Sequence, residues 1–173
     1  AARLARELTL YFQGRGIDPA QVIGSINYNP FKRELVRGKR NPDWRAEARG
    51  IVEAAQALKG MQVLQVDAYM LANAGAYITQ ELGYALAWGA EMLSAQIADG
   101  YTVEEATKRI KFNFGISSNY FMEIAKFRAA RWLWAEIVAA HGEEYREVAK
   151  INQHAITSQW NMTLYDSYVN LLR

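Results

Sequence analysis

The chain has 173 residues, a length that suits one domain and is enough to bury a substantial core. Apolar residues make up 51% and charged residues 22%, and the formal net charge of +2 comes from 20 basic and 18 acidic side chains, a near balance that argues against nucleic-acid or membrane partners. The lack of cysteine excludes disulfides, thiolate metal sites and a cysteine nucleophile and fits a reducing cytoplasm, and no apolar run approaches the roughly 20 residues that span a bilayer.

Helical spacing over 5–12 stops at Gly14 and Gly16. The stretch before it carries Glu7 and lacks an apolar core, so it does not read as a secretory signal. The first strand is predicted over 24–29, ended by Pro30, and the basic stretch 32–40 reads as a solvated loop or a contact with a partner chain. Asp43 is placed to cap a helix running to Lys59 and stopped by Gly60. Val63, Leu64 and Val66 mark a second strand over 62–69, and a long helix follows over 77–98. Thr102 and Glu105 form a capping box for a short helix. A third strand covers 110–114, and Ser118 is positioned to cap a helix over 119–140 that ends at Gly142. After an acidic turn over 143–150, a fourth strand is predicted over 151–157 and a last helix over 164–172.

Four strand–helix units in series predict an α/β fold with a parallel sheet covered by helices. A closed eight-stranded barrel needs on the order of 250 residues, so the chain can supply about four units of one. The strands alternate, whereas parallel strands covered on both sides usually read as continuous apolar runs. One face is expected to carry Ser25, Asn27, Gln65, Asp67, Lys111, Asn113 and Gln153; the other carries Ile26, Tyr28, Leu64, Val66, Phe112, Phe114, His154 and Ile156. A polar lumen would accommodate the first face, and water at the strand ends would do the same.

The two histidines, His141 and His154, have no second ligand at metal-binding spacing. His141 reads as a helix-end residue and His154 as a structural strand residue. Gly14 and Gly16 follow a helix rather than a strand, so they are no phosphate loop. Glu123, Lys126, Arg128 and Arg131 read as the charged rim of a helix whose packed face holds Phe121, Phe127, Trp132 and Trp134.

The run from Asn113-Phe114-Gly115-Ile116 through Phe121-Met122-Glu123-Ile124-Ala125-Lys126 to Arg131-Trp132-Leu133-Trp134-Ala135 resembles a segment of the adenosylcobalamin-dependent acyl-CoA mutases, the methylmalonyl-CoA mutase family. His154-Ala155-Ile156-Thr157-Ser158-Gln159-Trp160-Asn161, Asn73-Ala74-Gly75-Ala76 and Tyr165-Asp166-Ser167-Tyr168 resemble further parts of it in order, so the similarity extends over 23–173. The resemblance implies a partial (β/α)₈ TIM barrel over 1–173, one segment of the acyl-CoA-binding domain. In that family the barrel threads coenzyme A along its axis, and the cofactor carries the radical chemistry.

The resemblance also implies a degenerate site. The family's catalytic chains end this second strand in a Tyr-His pair whose histidine bonds the substrate carbonyl; here the pair is Tyr69-Met70. A family glutamine falls on Ile156. A family arginine that contacts substrate or coenzyme A is kept as Arg109, while the serine two residues on is Lys111. These exchanges fit a structural, non-catalytic small subunit, paired in the cytoplasm with a homologous catalytic large subunit. Adenosylcobalamin is expected in the complex but not on this chain, which has no Asp-x-His-x-x-Gly loop. A catalytic subunit with altered substrate contacts and a stand-alone α/β domain for a small ligand are the alternatives.

Overall fold

The computed structural model describes residues 1–172, apart from the side chain of Arg33. Helix α1 (Ala2–Gly14) leads into strand β1 (Gly24–Tyr28), helix α2 (Lys32–Arg37) and helix α3 (Trp44–Ala54). Strand β2 (Met61–Asp67) is followed by the short helix α4 (Tyr69–Asn73) and the long helix α5 (Ile78–Ala98). Helix α6 (Val103–Lys108), strand β3 (Ile110–Ile116), helix α7 (Tyr120–Ala139) and strand β4 (Asn152–Thr157) complete the regular elements.

The four strands are parallel and lie in the order β1-β2-β3-β4. Neighbours in space are neighbours in sequence, with no point at which the order reverses. A doubly wound sheet has such a reversal; a barrel segment has none. Between β1 and β2 the register runs Gly24↔Met61 and Ser25↔Gln62, then slips before Tyr28↔Leu64. No helix among the described residues is long and apolar enough to cross a membrane.

Two compact units divide the chain. The first comprises Ala1–Gln65 with Met92–Lys111. Its core includes Ile26, Val52, Leu58, Val63 and Ile110, and Tyr28 donates to Glu47 at 2.8 Å, tying the end of β1 to α3. Burial and that carboxylate both push the Tyr28 hydroxyl above its ordinary pKa. The capping box forms as expected: the Thr102 hydroxyl accepts from the Glu105 N–H, and the Glu105 carboxylate accepts from the Thr102 N–H.

The second unit comprises Val66–Glu91 with the chain from Phe112 onward. Phe112 meets the Trp134 ring edge-on at 4.9 Å, and Phe114 meets Phe127 at 5.6 Å. These rings form its apolar centre between β3 and α7.

Several expectations are corrected. β2 ends at Asp67, because Ala68 already has helical backbone angles and opens α4. Residues 32–37 are helical rather than a loop. Helix α3 stops at Ala54, short of Lys59. Ser118 does not cap α7; Asn119 holds that position without a side-chain cap bond. Residues 164–172 form no α-helix, only a 3-10 turn over Val169–Leu172. The Asn170 side-chain amide accepts from the Thr163 N–H and donates to the Thr163 carbonyl, and the Asp166 carboxylate accepts from the Tyr168 N–H. With Leu164 and Tyr165 exposed, no packed face repays helix nucleation, and these local bonds win.

Candidate functional site

The site-bearing ends of a parallel sheet are the carboxyl ends of its strands. In the second unit β2, β3 and β4 end here, and Asn73 joins the segments that follow β2 and β4. Its carbonyl side chain accepts from the Ser158 hydroxyl at 3.1 Å and the Gln159 N–H at 2.9 Å. Its backbone carbonyl accepts from the Trp160 indole at 3.1 Å. The segment after β4 is thereby fixed to the end of α4.

Beneath these loops lies a buried ionic cluster. Glu81 of α5 accepts from the Gly115 N–H at 2.7 Å with one oxygen and from Lys126 Nζ at 2.6 Å with the other. Lys126 also donates to the Gly115 carbonyl at 2.6 Å. Glu123 accepts from the Ser117 N–H at 3.0 Å and hydroxyl at 2.5 Å. Its second oxygen lies 2.6 Å from Lys126 Nζ, an ion pair whose angle falls outside hydrogen-bond geometry. All three charged residues are buried. Burial pushes the Glu81 carboxyl above its ordinary pKa, against the opposing pull of Lys126 and the Gly115 N–H.

A cavity of about 330 Å³ opens above the two carboxylates, walled by Ala72, Tyr77, Ser117, Asn119, Ser158 and Trp160. This cluster overturns the charged-rim reading of α7 for Glu123 and Lys126, while Arg128 and Arg131 are exposed as expected. Glu123 and Lys126 point inward, with Ala130, Trp134 and Val138 continuing their stripe. Phe121 and Trp132 are exposed instead, at 80% and 69%. The signal was present in the spacing: 123, 126, 130, 134 and 138 follow one helical face.

The polar face of the sheet is assembled largely as its alternation predicts. In the second unit Asn113 donates to Asp67 at 2.7 Å. In the first, Lys111 donates to Ser25 at 3.1 Å. The assignment in β4 was reversed. His154 Nδ1 lies 3.2 Å from Asn113 Oδ1, while Gln153 donates to the Phe127 carbonyl of α7. His154 therefore faces the polar side, and alternation puts Ile156 with it. The short burial pattern of β4 gave no apolar stripe to fix its phase.

The other sequence-predicted residues are placed as follows. Tyr69 and Met70 begin α4, both half-buried, and the Tyr69 backbone lies against Gly115. Arg109 is the C-cap of α6, with its guanidinium 4.4 Å over the Tyr101 ring. One buried Arg109 nitrogen has no hydrogen-bond partner. It lines a cavity of about 450 Å³ with Gln56, Lys59, Tyr101, Glu105 and Lys108. Arg109 and Lys111 thus belong to the first unit, and Tyr69, Met70 and Ile156 to the second.

Comparison with known proteins bears on this arrangement. The family model described as methylmalonyl-CoA mutase matches residues 2–173. A methylmalonyl-CoA mutase small subunit from Porphyromonas gingivalis (strain ATCC BAA-308 / W83) is 57% identical over 174 residues, covering 100% of this chain and 28% of that protein. A methylmalonyl-CoA mutase small subunit from Streptomyces virginiae is 36% identical, again over 100% of this chain and 28% of its own length. A methylmalonyl-CoA mutase large subunit from Propionibacterium freudenreichii subsp. shermanii is 31% identical over 92% of this chain and 22% of its length. The chain therefore spans under a third of each of these relatives.

Proposed function

Since the chain belongs to the methylmalonyl-CoA mutase family, we propose that it is the barrel segment of a small, non-catalytic subunit that supports a homologous catalytic large subunit. The observation that carries this reading is Met70, at the position where the family's catalytic chains place a histidine. A thioether accepts weakly and donates nothing, so it cannot bond a substrate carbonyl. Ile156 adds a second apolar group where those chains carry glutamine. Identity is also higher to small subunits than to the large one.

In the complex, the large subunit would isomerise methylmalonyl-CoA and succinyl-CoA, and adenosylcobalamin would supply the radical. The cobalt ligand is not expected from this chain, because neither His141 nor His154 stands in an Asp-x-His-x-x-Gly loop. Tyr69, Arg109, Lys111 and Ile156 are the remaining candidates for contact with an acyl-CoA. Of these, Arg109 has the chemistry to meet a phosphate, because its cavity also holds Lys59 and Lys108.

The test is turnover by the full-length subunit with cobalamin and methylmalonyl-CoA, with and without the large subunit. Activity only in the mixture supports the reading. Activity of the subunit alone favours the other reading, a catalytic chain with altered substrate contacts. Cytoplasmic assembly as a heterodimer is part of the same proposal, and co-purification with the large subunit checks it.

A further inference from the structure

The ionic cluster beneath the strand ends is unbalanced. Glu81 and Glu123 offer two carboxylates to the single ammonium of Lys126, and all three side chains are withdrawn from water. Buried charge is tolerated when it is both paired and hydrogen-bonded. Glu81 meets that condition, since one oxygen accepts from Lys126 and the other from the Gly115 N–H. Glu123 meets half of it. One of its oxygens accepts twice from Ser117, while Oε2 accepts no hydrogen bond and has only the ion pair with Lys126. Lys126 directs its well-aligned donors elsewhere, to Glu81 and the Gly115 carbonyl.

Glu123 is 4% exposed and yet lines the cavity above it. The opening therefore presents a buried carboxylate oxygen with unused acceptor capacity, in a cluster with one negative charge in excess. Ser117 and Ser158 add hydroxyls to the wall, and Ala72, Ala76 and Ile78 make much of the rest apolar. Trp160 belongs to the same wall and is held by its bond to the Asn73 carbonyl. The sign of the charge excludes an anion. A divalent metal ion needs about six oxygen ligands, and no group of three His, Asp or Glu side chains among the described residues could hold one. What remains is a singly charged ligand with an apolar body, and aromatic walls attract such cations as well.

We propose that this cavity binds a small organic cation, a primary ammonium whose N–H groups bond Glu123 Oε2 and the serine hydroxyls while its apolar body rests on the alanine and tryptophan wall. The site lies wholly within the second unit. It requires no radical chemistry and no partner subunit, and coenzyme A, an anion, has the wrong sign for it.

Fluorine NMR of para-fluorobenzylamine, charged at neutral pH, mixed with the full-length subunit reads the binding directly. para-Fluorobenzyl alcohol is its neutral counterpart of the same shape. The amine resonance should shift and broaden on titration, and the alcohol should bind at least tenfold more weakly. Glu123→Gln keeps an acceptor for Ser117 and leaves Glu81 and Lys126 balanced, so it should reduce the amine to the affinity of the alcohol. Because Glu123 is buried, a second variant guards against a fold defect: Ala76→Leu fills the cavity from its wall, leaves the ionic cluster intact and should weaken the amine several-fold. Equal binding of amine and alcohol by the parent, or an amine preference retained in Glu123→Gln, overturns the cation site. Amine binding unchanged in Ala76→Leu overturns its place in this cavity. Displacement of the amine by coenzyme A would assign the cavity to the acyl-CoA passage and overturns the proposal as well. None of these results alters co-purification with a large subunit, which tests the mutase reading separately.

Discussion

Gly89 of α5 faces the ring of Phe112 so closely that a methyl group there would lie 2.4 Å from the ring's Cζ. The same methyl would stand 3.0 Å from the Trp134 ring. Glycine here is a spacing device, allowing α5 to approach an aromatic core that could not accept even an alanine.

Gly89→Ala sets two effects against each other. Helix propensity favours alanine by about 1 kcal/mol. Overpacking a rigid aromatic pair costs about 1–3 kcal/mol. The expected outcome is net destabilisation, measured by denaturant unfolding. Combining it with Phe112→Leu should cost less than the two changes summed, because they share one contact.

Lys126→Met should destabilise by about 3–5 kcal/mol, the usual cost of leaving buried charge without its partner. Methionine matches the lysine stem but leaves Glu81 and the Gly115 carbonyl without their shared donor and Glu123 without its ion-pair partner. Thermal unfolding of the full-length subunit checks it. A change within a few tenths of a kcal/mol would remove the cluster from the account of stability.

Stability should also fall as pH rises above the ordinary carboxylate range. A carboxyl whose folded pKa exceeds its unfolded value favours the fold below the unfolded value, and that contribution is lost as pH climbs through the folded one. Burial places Glu81 in this class. Glu81→Gln should flatten this part of the pH–stability profile while keeping an acceptor for the Gly115 N–H. Melting temperatures from mildly acidic to mildly alkaline pH, parent against variant, make the comparison.

Met70→His with Ile156→Gln in the full-length subunit should bind a coenzyme A ester more tightly than the parent. A donor aimed at a developing charge is worth about 2.7–4 kcal/mol in a transition state, and ground-state binding should recover only part of that. Isothermal titration measures the gain. Equal affinity would show that these two positions no longer address the ester.

The strand–helix alternation was legible because Gly60 and Gly142 punctuate strong apolar patterns. The capping box was legible because its two partners are three residues apart and need nothing else. The inward turn of Glu123 and Lys126 was legible only in the spacing of 123, 126, 130, 134 and 138; residue type says that charges face water, and it is Glu81 on another helix that makes their burial tolerable. The phase of β4 failed for a related reason. His154 is aimed by Asn113, a partner 41 residues earlier. The final segment failed in the opposite direction: helical spacing over 164–172 had no surface to pack on.

Asn73 gathers bonds from Ser158, Gln159 and Trp160, partners 85 to 87 residues away in sequence. Closing so long a loop costs entropy before any of these bonds can form. The junction should therefore assemble late in folding, after β2, β3 and β4 have docked, and add little to the transition state. Perturbing Asn73 should leave the folding rate nearly unchanged and appear chiefly as faster unfolding.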